Sequence, residues 1–197
     1  YNKGMNNNTQ LKEFQKINNF PFHIDVMSPT ELIERHSHDC VELIFVTGGY
    51  ANDYIDSFPF RRSRGNLVII SGQVSHVMFG FKDFTAYRVL FDMSIFNEFD
   101  EKLQTSPGFV SLFVLNSLGI VENDYCGAIS MKEGYTERLI PIFEEILSVY
   151  EKGEDGARKR ITDLFYEAVE LILKKYEENN KDKWNDRYSK LAHDTII

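Results

Sequence analysis

The sequence predicts a mainly β domain followed by C-terminal helices. Two patterns predict it. Between residues ~20 and ~92, short apolar runs alternate with turn signals about every ten residues, the texture of hairpins in a sandwich or barrel. From about residue 94 the apolar spacing changes to that of helices.

The apolar runs of the first part lie at 41–46, 54–55, 58–60, 67–70, 77–79 and 87–91. Gly48-Gly49, Asp56-Ser57, Arg64-Gly65-Asn66, Ser71-Gly72 and Lys82-Asp83 separate them, and Asp56-Ser57 reads as a tight hairpin turn. Ser94 is the expected cap of a short helix over 95–103, which Pro107-Gly108 should stop. A second short helix is expected over 109–118 and a returning strand over 125–131. Leu139, Ile142, Phe143, Ile146, Leu147 and Tyr150 fall on one helical face, with Thr136 as the expected N-cap and Pro141 in or near the first turns. Gly153 and Gly156 then break the chain. The last helix is expected over about 157–178, with a stripe of Ile161, Leu164, Phe165, Ala168, Val169, Ile172 and Tyr176. Leu171 and Leu173 fall outside that stripe. The surplus apolar face predicts a second partner, most simply a copy of the same chain.

Composition narrows the function classes. The 197 residues carry 22 Lys and Arg against 30 Asp and Glu, a formal net charge of −8. Such a surface argues against gripping a phosphate backbone unaided. A hydrophobic fraction of 43% excludes a disordered chain. No apolar run is long enough to span a bilayer, and Cys40 and Cys126 are too few for a disulfide framework. A soluble, reduced, cytoplasmic protein is expected. The opening YNKGMNNNTQ reads as a polar, flexible arm, and the apolar end Asp194-Thr195-Ile196-Ile197 as the start of an element that continues.

The residues best suited to chemistry are in His36-Ser37-His38-Asp39-Cys40-Val41-Glu42. His36, His38 and Glu42 share parity and would point to one face of a strand, the two imidazoles ~6.7 Å apart along it. Two imidazoles and a carboxylate can converge on one ion, and a barrel could return His76 to the same cavity. The same residues could equally line a polar, metal-free pocket, or be core histidines. Arg88 is either a donor fork for a hydroxyl or carboxylate, or paired with an acid such as Asp92. Tyr54 and Tyr87 are candidates for stacking on a sugar. Arg61, Arg62 and Arg64 read as a solvated hairpin end, Cys40 as a small buried thiol rather than a soft ligand, and Trp184 as a packing anchor.

The stretch HSHDCVELIFVTGG resembles the first cupin motif, with His36, His38, Glu42 and Gly49 in its fixed places. GNLVIISGQVSH resembles the second, with Gly65 and His76 in place. Ser71 stands where proline is usual, Gln73 where glycine is usual, and Gly80 where enzymatic cupins usually have asparagine. The wording across residues 36–92 is similar to the ligand-sensing domain of AraC-type transcription regulators.

That resemblance implies a cupin-like β-barrel, a double-stranded β-helix, followed by a helical dimerisation hairpin. It divides the chain into an arm (1–19), a sensor barrel with a helical insert (20–131), a two-helix dimerisation segment (132–180) and a linker (181–197) toward a helix-turn-helix domain that would contact DNA. The dimer interface would be Ile161, Leu164, Phe165, Ala168, Leu171 and Ile172. A small-molecule effector, a carbohydrate or related metabolite, would meet His36, His38, Glu42, His76, Arg88 and Tyr54. No cofactor is required, although a divalent metal could occupy His36, His38, Glu42 and His76. The expected chain is therefore a regulator's sensor rather than an enzyme. The alternative is a metal-dependent cupin dioxygenase or isomerase using those same four residues.

Overall fold

The structure is a computed structural model and describes residues 8–17, 19–55, 58–72, 74–115, 128–132 and 134–194, from 181 onward through the backbone alone. In chain order its strands are β1 (Asn8–Thr9), β2 (Phe22–Met27), β3 (Ile33–His38), β4 (Val41–Ile55), β5 (Phe58–Ser63), β6 (Asn66–Ile70), β7 (His76–Phe91) and β8 (Ala128–Ser130). The helices are α1 (Glu101–Gln104), α2 (Pro107–Phe109), α3 (Tyr135–Lys152) and α4 (Ala157–Asp194).

Two long strands set the sheet. β4 and β7 pair antiparallel from Val41 opposite Phe91 to Ile55 opposite His76. The other edge of β4 takes β6 and then β5, while the other edge of β7 takes β2 and β3. β1 joins β3 in parallel, and β8 pairs with β6. Laid flat, Glu42 and the far end of β4 opposite His76 would stand about 43 Å apart at ~3.3 Å per residue. The Glu42 carboxylate and the His76 ring are instead 3.2 Å apart. The sheet is therefore rolled, with both side chains on its inner face.

The roll coincides with irregular pairing between Val46 and Asn52. Val46 lies opposite Ala86 and Asp53 opposite Met78, so β4 advances seven residues while β7 covers eight. An odd step exchanges the faces of a strand and an even step keeps them. Accordingly β7 keeps its even residues inward, with His76, Met78, Phe84 and Ala86 all buried. β4 turns over: Glu42, Ile44 and Val46 face inward before the irregularity, and Ala51, Asp53 and Ile55 after it. Gly49 makes the exchange sterically feasible. Its φ is +57°, and a Cβ there would stand 2.0 Å from the Lys82 carbonyl oxygen.

The outer face of the first half of the sheet carries the helices. Leu43, Phe45, Val89 and Phe91 share one buried cluster with Leu139, Phe143 and Ile146 of α3 and Ile161, Phe165 and Ala168 of α4. The Phe165 ring meets Phe22, Phe91, Phe96 and Phe99 at centroid distances of 5.3, 5.1, 6.2 and 6.3 Å. The aromatic residues of the middle segment thus pack the helices onto the sheet.

Several local expectations need correction. Asp92 and Asp100, not Ser94, cap the short helical turns after β7, because each carboxylate accepts a backbone N–H. Pro107 opens α2 behind a Ser106 cap, the position where proline's missing N–H costs least. The segment over 110–115 continues as a π-helix. α3 starts one residue before Thr136, whose hydroxyl donates to the Met131 carbonyl. Residues 11–17 are held: Leu11 N donates to Asp39 Oδ1 and Lys16 N to the Tyr150 hydroxyl. α4 runs on to Asp194, past the expected end near 178, since no proline or glycine interrupts 181–194. The Asp56-Ser57 turn, Gln73, Cys126 and the side chain of Trp184 lie outside the described residues.

The largest correction concerns the expected dimer face. Ile161, Leu164, Phe165, Ala168, Leu171 and Ile172 are all buried within a single chain, and so is Leu173. The stripe that seemed surplus is covered by α2, α3, the π-helical segment and the sheet. The apolar surplus of α4 therefore gives no ground for a second copy on these residues.

Replacing Gly49 by alanine tests the face exchange. The positive φ and the backbone approach should together cost at least ~2 kcal/mol. Urea unfolding measures it, and a loss under about 0.5 kcal/mol would show that β4 turns over without help from Gly49.

Candidate functional site

β3 delivers His36 and His38 to the inner face, β4 delivers Glu42 and β7 delivers His76. The ligand atoms of the three histidines all lie within 4.8 Å of one another. Their ring centroids are 4.8 Å (His36–His38), 4.2 Å (His36–His76) and 5.3 Å (His38–His76) apart. Glu42 Oε2 sits 3.5 Å from His38 Nε2 and 3.2 Å from His76 Nε2. His38, Glu42 and His76 are buried, while His36 is half-buried. His36 is thus the member of the cluster most open to solvent.

Burial by itself would raise the Glu42 carboxyl. The adjoining His38 and His76 rings outweigh burial and hold it well below the usual carboxylate range. Burial, and then the neighbouring His76 ring, push the His36 imidazole below its ordinary value. The Glu34 carbonyl fixes the His36 tautomer: it accepts from Nδ1 at 2.8 Å and leaves the Nε2 lone pair available.

The cluster fits a divalent ion. Both ring nitrogens of His38, Nδ1 of His76 and Oε2 of Glu42 are buried without a hydrogen-bond partner of good geometry. Buried polar atoms are normally partnered, and nitrogen and carboxylate oxygen donors are those that zinc, iron, manganese or nickel accept.

Of the six expected ligand contacts, the structure brings four together. Arg88 is committed elsewhere, as a fork on Asp25: Nε donates to Oδ1 at 3.0 Å and Nη2 to Oδ2 at 2.5 Å. Its acid partner is therefore Asp25, directly across the β2–β7 pair, rather than Asp92. Tyr54 lies on the outer face, 40% exposed and stacked on Phe79 at 5.7 Å. It shares the parity of Glu42, but β4 turns over between the two. Tyr87 is likewise outward, stacked on Phe143 of α3 at 5.6 Å. Cys40 is buried beside Leu11 and Leu90, and burial, followed by the charge of Asp39, pushes its thiol up to about 12. That is a packing cysteine.

Sequence reasoning missed two features. Arg62, placed in a solvated hairpin end, is fully buried and ion-paired with the equally buried Asp53. Its neighbours Arg61 and Arg64 do behave as surface residues, Arg61 lying over the Tyr50 ring at 3.9 Å. The signal available was parity after the face exchange, which puts Asp53 inward and Arg62, opposite Ala51, inward with it. The second feature is a polar line from Arg88 through Asp25 and His23 to Tyr150.

Comparison with known proteins adds little. No family model matches the chain, and no curated protein does. Solved structures that it is similar to include a conserved Streptococcus pyogenes protein of unknown function (20% identity, TM-score 0.34), over 36% of this chain and 65% of that one. Another is a cupin-2 domain containing protein from Shewanella frigidimarina (14% identity, TM-score 0.33), over 35% and 69%. A third is a cupin 2 conserved barrel domain protein from Salinispora arenicola (24% identity, TM-score 0.33), over 39% and 67%. Likenesses of this TM-score carry no weight for function. No helix among the described residues is long and apolar enough to cross a membrane.

The Arg88–Asp25 fork has a measurable consequence. Burial would raise the Asp25 carboxyl, but hydrogen bonds from His23 and Arg88 hold it below its ordinary value. A carboxyl lowered by folding adds stability above its unfolded value of ~3.9, and that stability is lost as pH falls through the folded value. Asp25→Asn should therefore cost about 1 kcal/mol near neutral pH, since the pair is partly exposed, and little below about pH 3. Urea unfolding at both pH values checks it, and an equal cost at both would rule out the charge as the source.

Proposed function

We propose that this chain is the small-molecule-sensing domain of an AraC-type transcription regulator, built on a cupin-like double-stranded β-helix. Its effector, a carbohydrate or related metabolite, would sit at His36, His38, Glu42 and His76. The observation that carries the reading is the convergence of these four side chains, spaced as in two cupin motifs, on the inner face of one rolled sheet. A second feature supports it. Glu42 faces inward while its neighbours Val41 and Leu43 face the cluster that holds α3 and α4. A ligand that favours one setting of β4 thereby favours one setting of the helices, which is what a sensor requires. Contact with DNA would belong to a further domain.

A metal-dependent enzyme is the second reading, and the unpartnered histidine nitrogens favour it. His36, His38, His76 and Glu42 would hold the ion, and a divalent metal there would supply Lewis acidity toward an oxygen ligand.

A thermal-shift panel of pentoses, hexoses and sugar acids separates the two. At about a hundredfold excess over Kd, an effector adds ~2.7 kcal/mol, a rise of roughly 5–10 °C in Tm for a chain of this size. The sensor reading expects one sugar class to give that rise and Glu42→Gln to abolish it. If no sugar shifts Tm, and protein purified without a His-tag carries stoichiometric Fe, Mn, Ni or Zn that His36→Ala loses, the enzyme reading replaces it.

A further inference from the structure

The inner face of the sheet carries a second buried polar group beside the histidine cluster. Asp53 and Arg62 are 1% and 0% exposed and form an ion pair. Their neighbours across the ladders, Met78 and Ala51, are apolar and buried. Such a pair is weak evidence of a role in stability, since apolar residues of similar volume often serve a core as well or better. Arg62 balances the charge of Asp53 without satisfying all of it. Oδ2 faces Arg62 Nη2, while Oδ1 has no hydrogen-bond partner. A buried carboxylate oxygen in that state is costly, and what it lacks is a donor.

The register places Asp53 next to the cluster. β4 and β7 pair without irregularity from Asn52 to Ile55, with Asp53 opposite Met78 and Ile55 opposite His76. Asp53 and His76 are therefore diagonal neighbours on the inner face, about 7–8 Å apart along the backbone. His76 Nδ1 is likewise buried without a partner. One sugar ring spans such a diagonal, with a hydroxyl at each end.

The chemistry of Oδ1 limits what it can take. An ionised carboxylate only accepts, so the ligand must donate. Arg62 already balances the charge, so a ligand ammonium would bury a surplus positive charge, and a ligand carboxylate would be repelled by Asp53. A neutral hydroxyl meets both conditions. We propose that Asp53 is a second contact of the interior site, accepting a hydroxyl of a neutral monosaccharide whose other end meets the histidine cluster. This rests on the sensor reading of that cluster, and it narrows the effector to a single-ring sugar that is uncharged at the Asp53 end.

Isothermal titration of the full chain with xylose, ribose, glucose, galactose and mannose tests this. At least one should bind, and Asp53→Asn should weaken it by about ten- to a hundredfold, the worth of a hydrogen bond to a charged acceptor. That variant leaves Arg62 buried without its counter-charge and is prone to unfold. The pair is therefore also replaced whole, as Asp53→Leu with Arg62→Met, which keeps the interior filled and uncharged. The folded double variant should lose the sugar to at least the same extent. A third arm needs no variant: the Asp53 carboxyl carbon resonance of wild type should shift on saturation with the sugar. Glu42→Gln separates this contact from the sensor reading. A sugar that Glu42→Gln loses but the folded double variant holds within about threefold would overturn the Asp53 contact alone. An Asp53 resonance that the bound sugar leaves unmoved would do the same. If none of the five sugars binds wild type, the contact and the sensor reading fall together.

Discussion

A carboxylate with 2% of its surface exposed cannot stay ionised without partners, and the curvature of the sheet brings them to Glu42. His38 comes from the next segment upstream, an easy neighbour. His76 comes from the far end of the β4–β7 pair and reaches Glu42 only because the sheet rolls. The roll in turn coincides with the irregular stretch at Gly49, where β4 exchanges faces while β7 does not. One local backbone device thus decides which residues enter the interior: Asp53 and Ile55 go in, and Tyr50 and Tyr54 stay out. The buried pair of Asp53 and Arg62 follows from the same exchange.

The two faces of the sheet do different work over the first half of β4 and the second half of β7. Alternate residues along one strand belong to the site and to the helical layer. Leu43 and Val89 pack among the helices, while Glu42 and Leu90 face the other way. Close-packed interiors have low compressibility and transmit strain. A sheet buried on both faces is therefore a natural place for a binding event to be read by helices. The same double burial explains why α4 is apolar on more than one side: its stripe meets the sheet and α3, and Leu173 lies beside Gly108 of α2.

Much of this was legible in the sequence. The change of apolar period near residue 94 marks where strands give way to helices, and the His36, His38 and Glu42 parity is local enough to survive folding. What escaped was non-local. Parity carried from Glu42 to Tyr54 fails because a one-residue difference between β4 and β7 accumulates at Gly49, and no composition rule locates that difference. Arg62 looked solvated because arginine beside a turn usually is; its burial depends on Asp53, nine residues away and across a hairpin. The surplus face of α4 was read correctly as needing cover, but one helix cannot show whether its own chain supplies it. The extension of α4 was missed because a drop in apolar content resembles an end, whereas helices stop at backbone breakers or caps.

Two of the buried polar groupings, the Asp53–Arg62 pair and the histidine cluster, differ in kind. Asp53 and Arg62 are of opposite charge, and each neutralises the charge of the other, whatever the pair's net contribution to stability. Three imidazoles around one carboxylate are not matched in that way. Glu42 Oε2 is shared between two rings, and a third ring lies against them with its lone pair directed by the Glu34 carbonyl. Rings that carry lone pairs gain little from one another. What such a set lacks is an electron-pair acceptor or a hydrogen-bond donor, a metal ion in the first case and a hydroxyl-bearing ligand in the second. Of the two groupings, the histidine cluster is therefore the one whose lone pairs a ligand would match.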